Sequence, residues 1–215
     1  MAKEAMKGRF ITFEGSEGSG KSTHSKLLYD YLKSKGLNVI YIREPGGTKI
    51  SEAIRGLLLD CKNDAMSREA EMLLYMAARA QLISQIIQPA LKKGQIVLCD
   101  RFLDSTLAYQ GYGLGIDLKL IRDVGKFATR NLVPGLTIFL DLPAQVGLKA
   151  CAKIKIKDRI EKRPLRFHLA VRSGYLKIAR QESERFKIVK VENDKAMTQS
   201  KVRSFVGKFL SSYAI

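Results

Sequence analysis

The octapeptide Gly15-Ser16-Glu17-Gly18-Ser19-Gly20-Lys21-Ser22 is a complete G-x-x-x-x-G-K-S loop, and its flanks leave few folds open to the chain. Before it stands Phe10-Ile11-Thr12-Phe13, a β-branched and aromatic run that reads as a strand. After it comes Thr23 to Leu32, with apolar residues at helical spacing. Glycines let the backbone curl until several N–H groups point at one anion, and the positive end of the following helix adds its partial charge. Such a loop holds nucleotide phosphates, with Lys21 reaching the β and γ groups and the Ser22 hydroxyl on Mg²⁺. Gly15, Ser16, Glu17, Gly18, Ser19, Gly20, Lys21, Ser22 and Thr23 form the expected ATP-binding stretch.

Beyond the loop the chain alternates strand and helix without repeat, low-complexity tract or linker. Strands are predicted at 10–13, 39–42, 96–99, 136–140 and 187–191, and helices at about 21–35, 49–59, 67–91, 118–129, 144–150, 165–180 and 198–211. Strands joined by crossover helices form a parallel sheet, here five-stranded, covered by helices on both faces. Ligands in such sheets sit beyond the carboxyl ends of the strands. The second strand ends in Arg43-Glu44-Pro45-Gly46-Gly47-Thr48 and the third in Asp100-Arg101-Phe102. Arg43 and Arg101 therefore converge on the crevice under the loop, where a guanidinium fork can grip a second phosphate. Asp100 stands where a carboxylate orients the water shell of the metal.

At 215 residues the chain is most simply one domain, large enough to bury a core without disulfides. Its three cysteines, Cys61, Cys99 and Cys151, lie far apart with no C-x-x-C pair, which suggests neither zinc nor a disulfide framework and points to a cytoplasmic setting. No apolar run is long enough to cross a bilayer, so no membrane partner is expected. A net charge of +17 favours polyanions. The excess is densest from Lys149 to Arg166, with eight basic residues against Asp158 and Glu161.

Phe13-Glu14-Gly15 leading into the loop, Arg43-Glu44-Pro45-Gly46-Gly47-Thr48, Asp100-Arg101-Phe102 and Ala108-Tyr109-Gln110-Gly111 occur together in this order. With them the chain resembles the thymidylate kinases of bacteria, most densely in its first 113 residues. Asp158-Arg159-Ile160-Glu161 and Val171-Arg172-Ser173-Gly174-Tyr175-Leu176 extend the likeness into the second half. The resemblance implies a P-loop nucleoside monophosphate kinase fold in one domain over 1–215, with a lid at about 149–164. It implies transfer of the γ-phosphoryl group of MgATP to dTMP, giving dTDP and ADP, by a homodimer with no specific nucleic-acid partner.

Residue by residue, the resemblance puts Lys21 and Ser22 on the donor phosphates and magnesium, with Asp100 at the metal. Arg101 and Arg43 take the acceptor phosphate, and Glu17 lies near the sugar 3′-hydroxyl. Tyr75 matches the ring that stacks on thymine, Arg79 the arginine that bonds its exocyclic oxygen, Thr106 a polar residue facing the base, and Tyr109 the ring under the deoxyribose. Pro45, Ser105 and Gln110 complete the acceptor set. Two departures stand out. Tyr75 replaces the usual Phe, and its hydroxyl needs a partner or an opening to water. Gly18 stands where some members carry an arginine, and the lid offers mainly lysines, so that Lys153, Lys155, Lys157 or Arg159 is expected at the transferring group; Lys153 and Arg159 are counted as catalytic beside Lys21, Arg101 and Glu17. A kinase for another monophosphate (UMP, dUMP or AMP) and a nucleotide-switched nucleic-acid binder remain the alternatives.

Overall fold

The computed structural model describes residues 9–152 and 158–212. Five parallel strands, β1 (Arg9–Glu14), β2 (Val39–Arg43), β3 (Ile96–Asp100), β4 (Leu136–Asp141) and β5 (Phe186–Lys190), lie in the order β2-β3-β1-β4-β5. The chain leaves β1 for the sheet edge, returns to its side through β3, and then crosses to β4 on its other flank. The order therefore reverses at β1, and the crevice opens at the carboxyl ends of β1 and β3. Register places Phe13 beside Asp100 and Arg43 beside Asp100, so three chemically distinct strand ends meet in one row.

The alternation of side chains along each strand builds two cores. Ile11 and Phe13 of β1, with Leu98 of β3 and Ile138 and Leu140 of β4, pack under helices α1 (Lys21–Ser34) and α9 (Lys195–Ser211), which contribute Leu28, Leu32, Val202 and Val206. The opposite face sets Phe10, Val97 and Cys99 against Leu82, Ile83 and Ile87. A third cluster joins Phe139 of β4 to Met72, Met76, Val171 and Tyr175. Each fully buried Leu, Ile or Phe contributes roughly 1.5–3 kcal/mol of transfer free energy, so the site-bearing strands are rigid scaffolding. The remaining helices are α2 (Lys49–Leu59), α3 (Arg68–Leu82), α4 (Gln88–Lys92), α5 (Leu103–Thr106), α6 (Leu118–Thr129), α7 (Ala144–Ala152) and α8 (Leu165–Gln181).

Three departures from the sequence reading have physical causes. The single helix expected over 67–91 is α3 and α4 joined by a π-helical turn, Ile83–Ile87. Pro89 lacks an N–H and crowds the carbonyl four residues back, and the wider turn absorbs the mismatch. The strand-end segment after Asp100, where no helix was expected, is α5 continued by a π-helical stretch, Leu107–Gly113. Its glycines admit close neighbours: a Cβ on Gly111 would strike Leu118, and one on Gly113 would strike Phe167 of α8. Asp104 of α5 takes both Arg185 guanidinium nitrogens at 2.8 Å, which ties this helix to the start of β5. Helix α9 also begins earlier than expected, because Asp194 caps it by accepting the Ala196 N–H at 2.8 Å.

The phosphate loop itself is wedged against α7. A Cβ on Gly18 would overlap the Gly147 carbonyl, and a Cβ on Gly147 would overlap the Glu17 carbonyl. Gly18 has φ 67°, a conformation that costs other residues strain. The loop position that the sequence comparison flagged as lacking an arginine is thus filled by the backbone of α7.

Candidate functional site

A solvent-open cleft of about 890 Å³ lies at the carboxyl ends of β1, β2 and β3. Its wall includes Glu17, Gly18, Lys21 and Ser22 from the phosphate loop, and Arg43, Glu44 and Pro45 from the end of β2. Asp100, Arg101, Ser105, Thr106, Tyr109 and Gln110 come from β3 and the helical stretch after it, with Tyr75 from α3. These fourteen residues of the sequence-level expectation, or of the motifs that carried it, therefore meet in one space. Thr23 lies on the exposed side of α1, beside Lys26 and Asp30.

On the loop side, Lys21 is only 8% exposed and its ammonium donates to the Ser16 carbonyl at 2.7 Å. Burial, with Arg101 adding repulsion, pushes its pKa down to about 8. The Ser22 hydroxyl donates to Asp100 Oδ2 at 2.5 Å, bringing two hard oxygen donors together beside the loop. Facing them is Arg101, in a left-handed conformation (φ 73°) that costs a non-glycine residue about 1–3 kcal/mol and has to be held by its surroundings. Arg101 Nη1 donates to the Gly15 carbonyl, Ser105 Oγ and the Tyr175 hydroxyl at 3.1, 3.1 and 3.3 Å. Its Nη2 donates to Glu17 Oε1 and the Tyr109 hydroxyl at 3.1 and 3.0 Å.

Glu17 is the hub of this side. Its Oε1 also accepts the Tyr109 hydroxyl at 2.6 Å, and its Oε2 lies 3.4 Å from His168 Nδ1. Burial alone would raise its pKa, but His168, the charges of Arg101 and Lys21, and Tyr109 outweigh it and hold the carboxyl at about 2. Behind the wall, Glu14 is fully buried and accepts from the Phe102 N–H, the Ser105 hydroxyl and the Tyr175 hydroxyl at 2.8, 2.6 and 2.8 Å. Burial and the neighbouring Asp104 push its carboxyl up to about 7, against the pull of Ser105, Arg101 and Tyr175.

The base-side residues divide into wall and support. Tyr75 lines the cleft and is partly exposed, which gives its hydroxyl the opening to water that a Phe would not need. Arg79, one turn further along α3, is 2% exposed and stands behind the wall. It donates to Glu44 Oε2 at 2.8 Å, Thr106 Oγ1 at 3.1 Å and the Phe102 carbonyl at 2.9 Å, and so reaches the cleft through Glu44 and Thr106. Burial raises the Glu44 pKa while Arg79 draws it back. Gln110 donates to Glu71 at 2.8 Å. Arg43 is engaged with both Glu52 oxygens at 3.1 Å and donates to the Pro45 carbonyl at 2.9 Å.

Arg159, expected at the transferring group, is instead 7% exposed and turned into α3: its Nε donates to the Leu58 carbonyl at 2.8 Å and its Nη2 lies 2.6 Å from Glu71. Arg163 meets the same carboxylate at 2.6 Å. A fully buried glutamate needs such partners, and two arginines with Gln110 supply them. Lys153, Lys155 and Lys157 lie outside the described residues.

Four residues of the network were given no role in the sequence reading: Glu14 and Tyr175, which entered only as members of motifs, and Glu71 and His168. Glu14 had a signal, a carboxylate closing an otherwise apolar strand. His168 and Tyr175 sit two turns apart on the apolar face of α8, with Val171 between them, and read as core.

The family model described as "Thymidylate kinase" matches residues 13–202. The thymidylate kinase of Geotalea daltonii is 52% identical over 189 residues, covering 85% of this chain and 88% of that one. That of Protochlamydia amoebophila is 45% identical over 218 residues, covering 98% and 95%. The crystal structure of thymidylate kinase from Ehrlichia chaffeensis superposes with a TM-score of 0.77 at 33% identity, covering 93% of this chain and 98% of that chain.

The Lys21 environment has a pH consequence. A charged ammonium attracts phosphate, so nucleoside triphosphate affinity is steady below the free-protein pKa and falls as pH rises through about 8. Calorimetric titration of ATP should show roughly a tenfold loss per pH unit well above that value, with proton uptake on binding. An affinity flat from pH 7 to 9.5 would contradict it.

Proposed function

Since the chain belongs to the thymidylate kinase family and phosphorylates dTMP to dTDP at the expense of ATP, we propose that its cleft divides into a donor half on the phosphate loop and an acceptor half on Arg101. The observation that carries this division is that a buried cation, Lys21, and a partly buried one, Arg101, line the same cleft, with the Glu17 carboxylate beside both.

In the donor half, the loop N–H groups from Gly15 to Ser22 and the Lys21 ammonium take the β- and γ-phosphates. The Ser22 hydroxyl and Asp100 carboxylate are hard oxygen donors that fit Mg²⁺, which when bound supplies charge neutralisation at the phosphates. In the acceptor half, Arg101 grips the dTMP phosphate, Tyr75 stacks on thymine, and Tyr109 packs under the deoxyribose with Glu17 near its 3′-oxygen. Arg79 acts through Thr106. Arg43, Pro45, Ser105 and Gln110 shape the remaining wall.

Phosphoryl transfer asks little covalent chemistry of the protein, because the acceptor oxygen is already anionic and needs no general base. Lys21 and Arg101 hold the two anions in line, and their charge offsets what builds on the transferring group. The sequence marks about 149–164 as a lid, and its lysines Lys153, Lys155 and Lys157 lie outside the described residues. Arg159 and Arg163 anchor its end on Glu71. Among the described residues no helix is long and apolar enough to cross a membrane. We place the enzyme in the cytoplasm, where its nucleotide substrates are.

The division predicts a split between variants. Lys21→Ala should abolish turnover in a coupled ADP-release assay. Arg101→Ala should weaken dTMP binding by about 2–4 kcal/mol while leaving ATP affinity nearly intact. Wild-type enzyme should turn over dTMP far faster than UMP. Equal rates with UMP and dTMP, or loss of ATP affinity in Arg101→Ala, would contradict the assignment.

We also propose a homodimer, on the exposed apolar side chains of three neighbouring helices: Leu57 of α2, Leu73 of α3, and Leu120 and Phe127 of α6, the last 87% exposed. Sedimentation should give twice the chain mass, and Leu73→Asp should shift it toward the monomer. A wild-type monomer would remove the proposal.

A further inference from the structure

Glu14 is not part of the cleft lining, yet two of the groups that hold Arg101, the Ser105 and Tyr175 hydroxyls, are bonded to it. We propose that Glu14 is a positioning residue that aims Arg101 at the acceptor phosphate; the inference rests on the acceptor-half reading above.

Arg101 sits at φ 73°, in the region that favours glycine, and a turn of that kind persists only when its flanks are fixed. Its own N–H donates to the Phe13 carbonyl at 2.9 Å, and the next N–H, of Phe102, donates to Glu14 Oε1 at 2.8 Å. Two successive amides of the turn are thus pinned to two successive residues of β1, one through main chain and one through the Glu14 carboxylate.

Glu14 Oε2 accepts the hydroxyls of Ser105 at 2.6 Å and Tyr175 at 2.8 Å. The same two oxygens receive Arg101 Nη1, at 3.1 and 3.3 Å. Once their hydrogens are committed to a carboxylate, both hydroxyls present lone pairs to the guanidinium. In its ionised form the carboxylate behind them only accepts, and so sets the polarity of the cradle in front. Its position behind the wall, fully buried, makes Glu14 a residue that acts through Arg101. An amide in its place would keep the size and the Phe102 contact but would donate toward Ser105 and Tyr175, freeing their hydrogens to point at Arg101.

The test is steady-state kinetics of Glu14→Gln and Tyr175→Phe, with Arg101→Ala in parallel, measuring KM for dTMP and for ATP separately alongside thermal unfolding. Glu14→Gln should raise KM for dTMP about tenfold and leave KM for ATP within about twofold, and Tyr175→Phe should raise KM for dTMP about threefold. Wild-type KM for dTMP in both variants, or parallel rises in both KM values, would overturn the inference. If Glu14→Gln does not fold, Tyr175→Phe decides on the same criterion. Arg101→Ala separates the two levels: its KM for dTMP rising while both other variants stay at wild type defeats this inference alone. An unchanged KM in Arg101→Ala defeats the acceptor-half reading and the inference with it.

Discussion

Holding a buried Lys21 and a partly buried Arg101 within reach of one another is the constraint around which the rest of the site is arranged. Two like charges removed from water repel, and the depressed Lys21 pKa records both burial and the Arg101 charge. The protein answers with carboxylates of three kinds. Glu17 lies between the cations and stays ionised. Asp100 stands by the loop and meets Ser22. Glu14 stands behind Arg101 and accepts three hydrogen bonds without entering the cleft. The result is a cleft whose cations are held in place but are not fully neutralised, which is the condition for gripping a triphosphate and a monophosphate end to end.

The same constraint explains why the sheet order matters. Lys21 follows β1 and Arg101 follows β3, and only because β3 pairs directly with β1 do the two residues meet. The polar network would be unaffordable on mobile loops. Here it is set on strands whose alternate side chains are buried in separate cores, and on a helical stretch after β3 that Asp104 and Arg185 lock to β5.

Much of this was legible in the sequence, for reasons that are local. The phosphate loop carries its own spacing, the strands show apolar runs, and Arg43, Asp100 and Arg101 fall at strand ends where ligands bind. The five strands appear within about a residue of their expected bounds. What was not legible is long-range. Nothing near Arg159 announces that Glu71, nearly ninety positions away, will capture it. His168 and Tyr175 look like core because they are core on every side but one. The π-helical stretch Leu107–Gly113 was hidden because Gly111 and Gly113, ordinarily helix breakers, are required there by close contact with Leu118 and Phe167. Arg79 was expected at the base, and the structure puts Thr106 and Glu44 in front of it.

The central claim is that one cleft holds donor and acceptor together, with Lys21 and Arg101 on opposite sides. A dinucleotide in which adenosine and thymidine are joined through five phosphates spans both halves and tests it directly by calorimetric titration. The account predicts one molecule bound per chain, at least about a hundredfold tighter than ATP or dTMP alone, with bound dinucleotide excluding both. Affinity no better than that of ATP, or simultaneous binding of dTMP beside the dinucleotide, would contradict it.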